Sequence, residues 1–149
     1  MKFIVLFAIS TLFVSSSITS ESYLGKWEIT GGSVIEIYQN GKNFYGKIDK
    51  RASNPLSNFN GLDNKNPQEE LRNRPLLGMN ILNELKYEDG VLSGGTIYNA
   101  DSGKTYTVKV WIDSDDINVC YIRAYKSFLF KTFIAKRIKS QKYIASDTK

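Results

Sequence analysis

The sequence predicts an all-β domain: an antiparallel up-and-down barrel of about eight strands, with one short helix in a long loop. Three observations carry that prediction. Short β-rich segments follow one another, each bounded by residues that favour turns. Asn40-Gly41 and Asp89-Gly90 are tight-hairpin signals, because a type I′ turn needs positive φ at both central residues. Apolar and polar residues alternate along several segments, giving each strand a core face and an outer face. Closing such a meander into a barrel removes its exposed edges; a sandwich of two sheets is the alternative.

Residues 1–20 stand apart from this domain. Lys2 is a minimal basic head, Phe3 to Val14 is a largely apolar run, and Ser15, Ser16, Ser17, Thr19 and Ser20 follow as small residues. That order is the signature of a secretory signal peptide, with an apolar run too short for a comfortable membrane span. The expected cut falls between Ser17 and Glu21. The mature protein is then exported, periplasmic or secreted, with no stable membrane span. No cysteine stands directly after the signal, so the lipid-anchor signature is not expected. Residues 21–140 form the single barrel domain, and residues 141–149 read as a polar tail.

The first three strands are expected over Gly25 to Thr30, Ser33 to Gln39 and Asn43 to Asp49. Ile35 and Ile37 share a face opposite Glu36; Phe44, Gly46 and Ile48 share a face opposite Tyr45, Lys47 and Asp49. The long connection Lys50 to Arg74 follows. Near its end Asn66 can cap a helix through its side-chain oxygen, Pro67 suits a first helical position, and Glu69 and Glu70 suit the positive end of the helix dipole. Pro75 then disfavours helical geometry at Arg74, so the helix is short.

The remaining strands are expected over Met79 to Tyr87, Val91 to Tyr98, Thr105 to Ile112, Ile117 to Tyr125 and Phe128 to Ile138. Tyr106, Val108, Val110 and Ile112 oppose Thr105, Thr107, Lys109 and Trp111. Gly94-Gly95 permits a bulge or a close strand crossing. Asp101-Ser102-Gly103 and Asp113-Ser114-Asp115-Asp116 are turn sequences, with Gly103 at the left-handed position.

Composition removes several chemistries. The chain holds no histidine, which excludes Ser-His-Asp and Cys-His nucleophile pairs and His-containing zinc sites. Cys120 is the only cysteine, so no intramolecular disulfide forms; it lies in an apolar run and is expected to be buried. The full chain carries a net charge of +5, and loss of Lys2 with the signal leaves +4. The basic residues are scattered apart from a small cluster at Lys136, Arg137, Lys139 and Lys142, and no nucleic-acid motif accompanies them. Asp101 to Thr105 ends like a phosphate-binding loop, but Tyr98 stands where the leading glycine belongs. Asp63 to Asn66 lacks the spacing of a calcium loop. No metal and no cofactor are expected.

Several of these residues resemble a bacterial family of exported proteins without an assigned activity, the domain of unknown function 2147 family. The likeness opens at Gly25-Lys26-Trp27. It is strongest over Asp63, Asn66-Pro67 and Leu71 to Gly78, the last stretch including Arg72, Arg74 and Pro75. It returns at Gly94-Gly95-Thr96-Ile97-Tyr98 and at Asp101 to Tyr106. It thins over the last two strands, where Cys120-Tyr121-Ile122 replaces an Arg-Gly-Tyr-like segment, although Arg137 still matches. The resemblance implies a lipocalin-like barrel outside the cytoplasm and supplies no substrate. It also implies that Trp27 in the first strand is covered by Arg137 from the last, closing one barrel end through cation–π stacking.

Two readings of Arg72 and Arg74 stand side by side. Their guanidinium forks suit a carboxylate or phosphate ligand, or they pair with Asp63, Glu69 or Glu70 and hold the helix in place. Tyr45, Tyr98, Tyr106, Tyr121, Trp111 and Phe44 could line an amphipathic cavity or fill a core. The favoured function is binding of a small hydrophobic or amphipathic ligand inside the barrel, with Arg72, Arg74, Tyr98 and Tyr106 as contacts. The alternative is an envelope structural or interaction protein with a filled barrel, meeting a protein or lipid surface through Lys50 to Arg74. A hydrolase using Asp63 or Asp101 comes last, since no catalytic motif supports it. The sequence is silent on oligomeric state.

Overall fold

Eight antiparallel strands close on themselves in chain order. The computed structural model describes residues 17–52 and 61–139. The strands are β1 (Gly25–Ile29), β2 (Ser33–Asn40), β3 (Asn43–Lys50), β4 (Asn80–Glu88), β5 (Val91–Asn99), β6 (Lys104–Ile112), β7 (Val119–Lys126) and β8 (Leu129–Arg137). Each pairs with its neighbour, and β1 returns to β8 through Trp27 opposite Arg137, Glu28 opposite Lys136 and Ile29 opposite Ala135. The apolar run and the polar tail expected at the two ends lie outside the described residues, as does part of the long loop.

The alternation read from the sequence becomes the inside of the barrel. Ile35, Ile37, Phe44, Leu82, Leu85, Leu92, Val108, Val110, Ile112, Cys120, Ile122 and Ala135 are buried in one cluster. Tyr45, Trp111 and Tyr121 take the other parity and lie on the outside. Tyr45 stacks on Tyr38, and Trp111 stacks on Tyr121 with centroids 5.3 Å apart. The outward parity of these three follows from their strand neighbours, which fill the core.

The two ends of the barrel differ. At the lower end, residues 17–24 form a strap containing a single 3-10 turn, Ser20–Tyr23. Tyr23 is buried and donates from its hydroxyl to the Gly90 carbonyl at 2.6 Å. Trp27 Nε1 donates to the Tyr23 carbonyl at 2.9 Å, and Tyr87 donates to the Ile18 carbonyl at 2.8 Å. The Arg137 guanidinium covers the Trp27 ring at 4.1 Å and donates to the carbonyls of Leu24 and Ser22. The lower half is therefore plugged by aromatic and apolar side chains. Ile18 packs against this core, so the strap begins within the stretch expected to hold the signal cleavage.

Two glycines let backbones meet. Gly95 faces the carbonyl oxygen of Asn83, which a Cβ would approach to 2.2 Å, where β4 passes through positive φ at Glu84. The β5–β6 register shifts between Leu92 and Gly95, so Gly94-Gly95 supplies both the irregularity and the close approach expected of it.

Candidate functional site

The upper end carries the long loop and the turns after β1, β5 and β7. The loop returns to the barrel through Asp63, which is fully buried. Asp63 Oδ2 accepts from Arg74 Nε at 2.9 Å and from Asn66 Nδ2 at 2.7 Å, and pairs with Arg74 Nη2 at 2.8 Å. Its Oδ1 accepts from the Tyr98 hydroxyl at 2.6 Å. Burial, reinforced by this negative partner, pushes the Tyr98 hydroxyl up to about 12. Backbone bonds from Asp63 N to the Arg74 carbonyl and from Leu76 N to the Gly61 carbonyl tie the two ends of the segment together.

The helix expected after Asn66 is a single 3-10 turn, Glu69–Leu71. Asn66 Oδ1 accepts from Gln68 N at 2.9 Å, two residues on, which makes an Asx turn and not a helix cap. With Pro75 so close, the chain turns once and returns to the barrel. Pro67 sits inside the Asx turn. Arg72 Nε donates to the Asn66 carbonyl at 2.8 Å, and its Nη1 meets Glu69 at 3.3 Å. Both arginines therefore take the internal partners weighed in the sequence, and neither lines the cavity described below.

Gly103 explains why the turn between β5 and β6 belongs to the same assembly. Its φ is +67°, and a Cβ there would stand 1.8 Å from the Lys65 carbonyl oxygen. The segment around Asp63 and Asn66 thus lies directly on the Asp101-Ser102-Gly103 turn. The two stretches singled out in the sequence as separate motifs meet in space. Gly78, at φ +80°, ends the segment; its N–H donates to the Ile48 carbonyl at 2.7 Å, leading the chain into β4.

Above the plugged half, the barrel is open. A cavity of about 600 Å³ lies among the upper strand ends. Ile29, Leu76, Ile81, Ile97 and Phe133 supply apolar wall, and Tyr98 and Tyr106 face it as well. Arg51, Asp101, Lys126 and Lys131 bring charge to its lining. Lys126 and Lys131 share their strand parity with Ala135 and Cys120, which places them on the inner side of the β7–β8 hairpin near the mouth. Phe44 belongs to the packed core and does not reach the cavity lining. Of the four contacts expected from sequence, Tyr98 and Tyr106 border the cavity while Arg72 and Arg74 stand behind its wall. Reasoning from sequence did not single out Ile81, Ile97, Phe133 or Lys131. Register shifts interrupt the alternation beside Ile81 and between Leu92 and Gly95 before Ile97, and which end of the barrel stays empty is a property of the closed sheet and not of any one strand.

Asp63 is enclosed by its three side-chain partners, and Asp101 sits in the exposed turn after β5. Cys120 is buried, and desolvation pushes its thiol up to about 12. Among the described residues, no helix is long and apolar enough to cross a membrane.

Residues 25–137 match the family described as uncharacterized protein conserved in bacteria, domain of unknown function 2147. The chain belongs to that family. Among solved structures it is similar to protein HP1028 from the human pathogen Helicobacter pylori, which belongs to the lipocalin family. The two share 26% identity over 79% of this chain and 84% of that one, with a TM-score of 0.67. No curated protein matches the chain.

Proposed function

We propose that this member of the family is an exported binding protein that holds a small hydrophobic or amphipathic ligand in the upper half of its barrel. The observation that carries this reading is the cavity of about 600 Å³ above a plugged base. Its size falls in the range of sites that enclose small molecules, roughly 300–1,000 Å³. Its wall is largely apolar, and its charged residues include three cations, Arg51, Lys126 and Lys131, and one acid, Asp101. That balance favours an apolar body with an anionic end over a neutral hydrocarbon. The lipocalin membership of the H. pylori protein supports the same class of function. The apolar run after Lys2 supports export.

Native mass spectrometry of the mature protein, purified without detergent from an exporting bacterium, tests the reading. An added mass that leaves on denaturation is expected, together with uptake of a fluorescent fatty-acid analogue. Ala124 lines the cavity, and Ala124→Trp should fill part of it. Uptake by that variant should fall at least about tenfold, equivalent to about 1.4 kcal/mol of binding free energy. A clean apo mass with no uptake of fatty acids or apolar probes would overturn the proposal.

A further inference from the structure

The hairpin between β7 and β8 exposes an unusual tip. Phe128 is 87% exposed, and Leu129 and Phe130 are each 61% exposed. Ser127 takes positive φ at 55°, which fixes the turn that presents them. Three adjacent apolar side chains exposed together in this way mark an interaction site.

Three further observations say what it meets. From Ile117 to Lys139 the sequence contains six basic residues and no acid. Lys126 and Lys131 flank the tip on either side, and Asp101 is the acid in the lining of the neighbouring mouth. The outer face of the same hairpin is aromatic and cationic. Arg123 lies over Trp111 at 4.9 Å and over Phe130 at 4.4 Å, while Tyr125 packs against Phe130 and Trp111 against Tyr121. Ile134, paired with Tyr121, continues this face and is also exposed. Finally, Leu129 and Phe130 belong both to the tip and to the cavity lining. Apolar side chains at a tip, with aromatic rings behind them and cations beside them, match the layers of an anionic bilayer surface: acyl boundary, interface and headgroup charge.

We infer that the β7–β8 hairpin docks this protein on anionic phospholipid membranes, with Phe128, Leu129 and Phe130 entering the lipid boundary and Lys126 and Lys131 meeting the headgroups. Docking by this tip sets the cavity mouth against the membrane. The inference deepens the ligand-binding reading by naming where the ligand enters, but the docking itself does not require the cavity to be filled.

The test uses the mature protein and vesicles of phosphatidylcholine alone or mixed with phosphatidylglycerol. Co-sedimentation is expected with the mixed vesicles, weakened at least about tenfold by Phe128→Ser and reduced by high salt. Phe128 does not line the cavity, so Phe128→Ser should still take up a soluble fluorescent fatty-acid analogue, which also reports that it is folded. Lack of binding to the anionic vesicles, or binding that Phe128→Ser leaves unchanged, overturns the inference. If the analogue is still taken up in that case, the ligand-binding reading stands alone. Vesicle binding that depends on Phe128, without uptake of the analogue, keeps the docking and removes the ligand. A dimer that Phe128→Ser dissolves, with no vesicle binding, would assign the tip to a second copy of the chain and overturn the membrane assignment.

Discussion

The Tyr98 hydroxyl donates to Asp63 at 2.6 Å, joining the barrel wall to a loop residue thirty-five positions earlier. Asp63 is buried and also receives Arg74 and Asn66. One carboxylate thus fastens the long loop, its returning arm and β5.

Asp63→Ala should destabilise the protein by about 2–4 kcal/mol, somewhat below the loss of a fully buried pair because Arg74 is partly exposed. Arg74→Ala should cost less. The double variant should cost less than the sum, since both remove the same interaction. Urea unfolding of the three variants measures this. Additive effects would show that the pair is not coupled.

Tyr98 gives the same assembly an alkaline limit. Its hydroxyl pKa is raised from 10.0 to about 12 in the folded protein. Its stabilising contribution is complete below the unfolded value and is lost as pH rises through the folded one. Stability should therefore fall between about pH 10 and 12, and Tyr98→Phe should flatten that part of the curve. Buried Tyr23, whose pKa is also raised by desolvation, adds to the fall from the opposite end of the barrel. Urea midpoints across this range, followed with tyrosinate absorbance, provide the check.

Gly103 and Gly94 both have positive φ, but only Gly103 has a backbone atom in the way. Gly94→Ala should cost about 1 kcal/mol, the ordinary penalty for an L-residue in the left-handed region. Gly103→Ala should cost clearly more, because the Lys65 carbonyl must move and the Asp63 segment with it. Thermal melts separate the two; equal losses would contradict the close approach.

Arg137→Met should destabilise the lower end by about 1–3 kcal/mol, through loss of the stack on Trp27 and of the bonds to the strap carbonyls. Hydrogen exchange should quicken in residues 19–24 before it quickens in β5 or β6. Uniform quickening would mean that the strap and barrel open as one.

Cys120 offers a reporter of global opening. Its thiol is buried and its pKa is pushed up to about 12. A disulfide reagent should label it only as fast as the folded protein opens, and labelling should track denaturant concentration. Rapid stoichiometric labelling at neutral pH would contradict this placement.

Much of the fold was written in local patterns. Asn40-Gly41 and Asp89-Gly90 marked hairpins, and the alternation from Tyr106 to Ile112 marked a core face; both are properties of a few neighbouring residues. Strand limits agree to within a residue or two. The site was less legible because it depends on distance through space. Sequence grouped Arg72 and Arg74 with possible ligand contacts, yet their partners are loop groups three to eleven residues away. Trp111 and Tyr121 read as possible cavity residues by type, while strand parity turns them outward. Lys131 carried no signal of its own: only its pairing opposite Ala124 puts it at the mouth.

The pairing of β1 with β8 has a consequence for biogenesis. The ladder that shuts the cylinder needs both the first strand and the last. A chain emerging from its N-terminus must wait with β1 unpaired on one side until β8 arrives, and that closure spans nearly the whole domain. Until then the nascent sheet has two sticky borders, open to neighbouring chains. A cylinder that closes only where its last strand meets its first therefore has no edge-free form shorter than the whole domain.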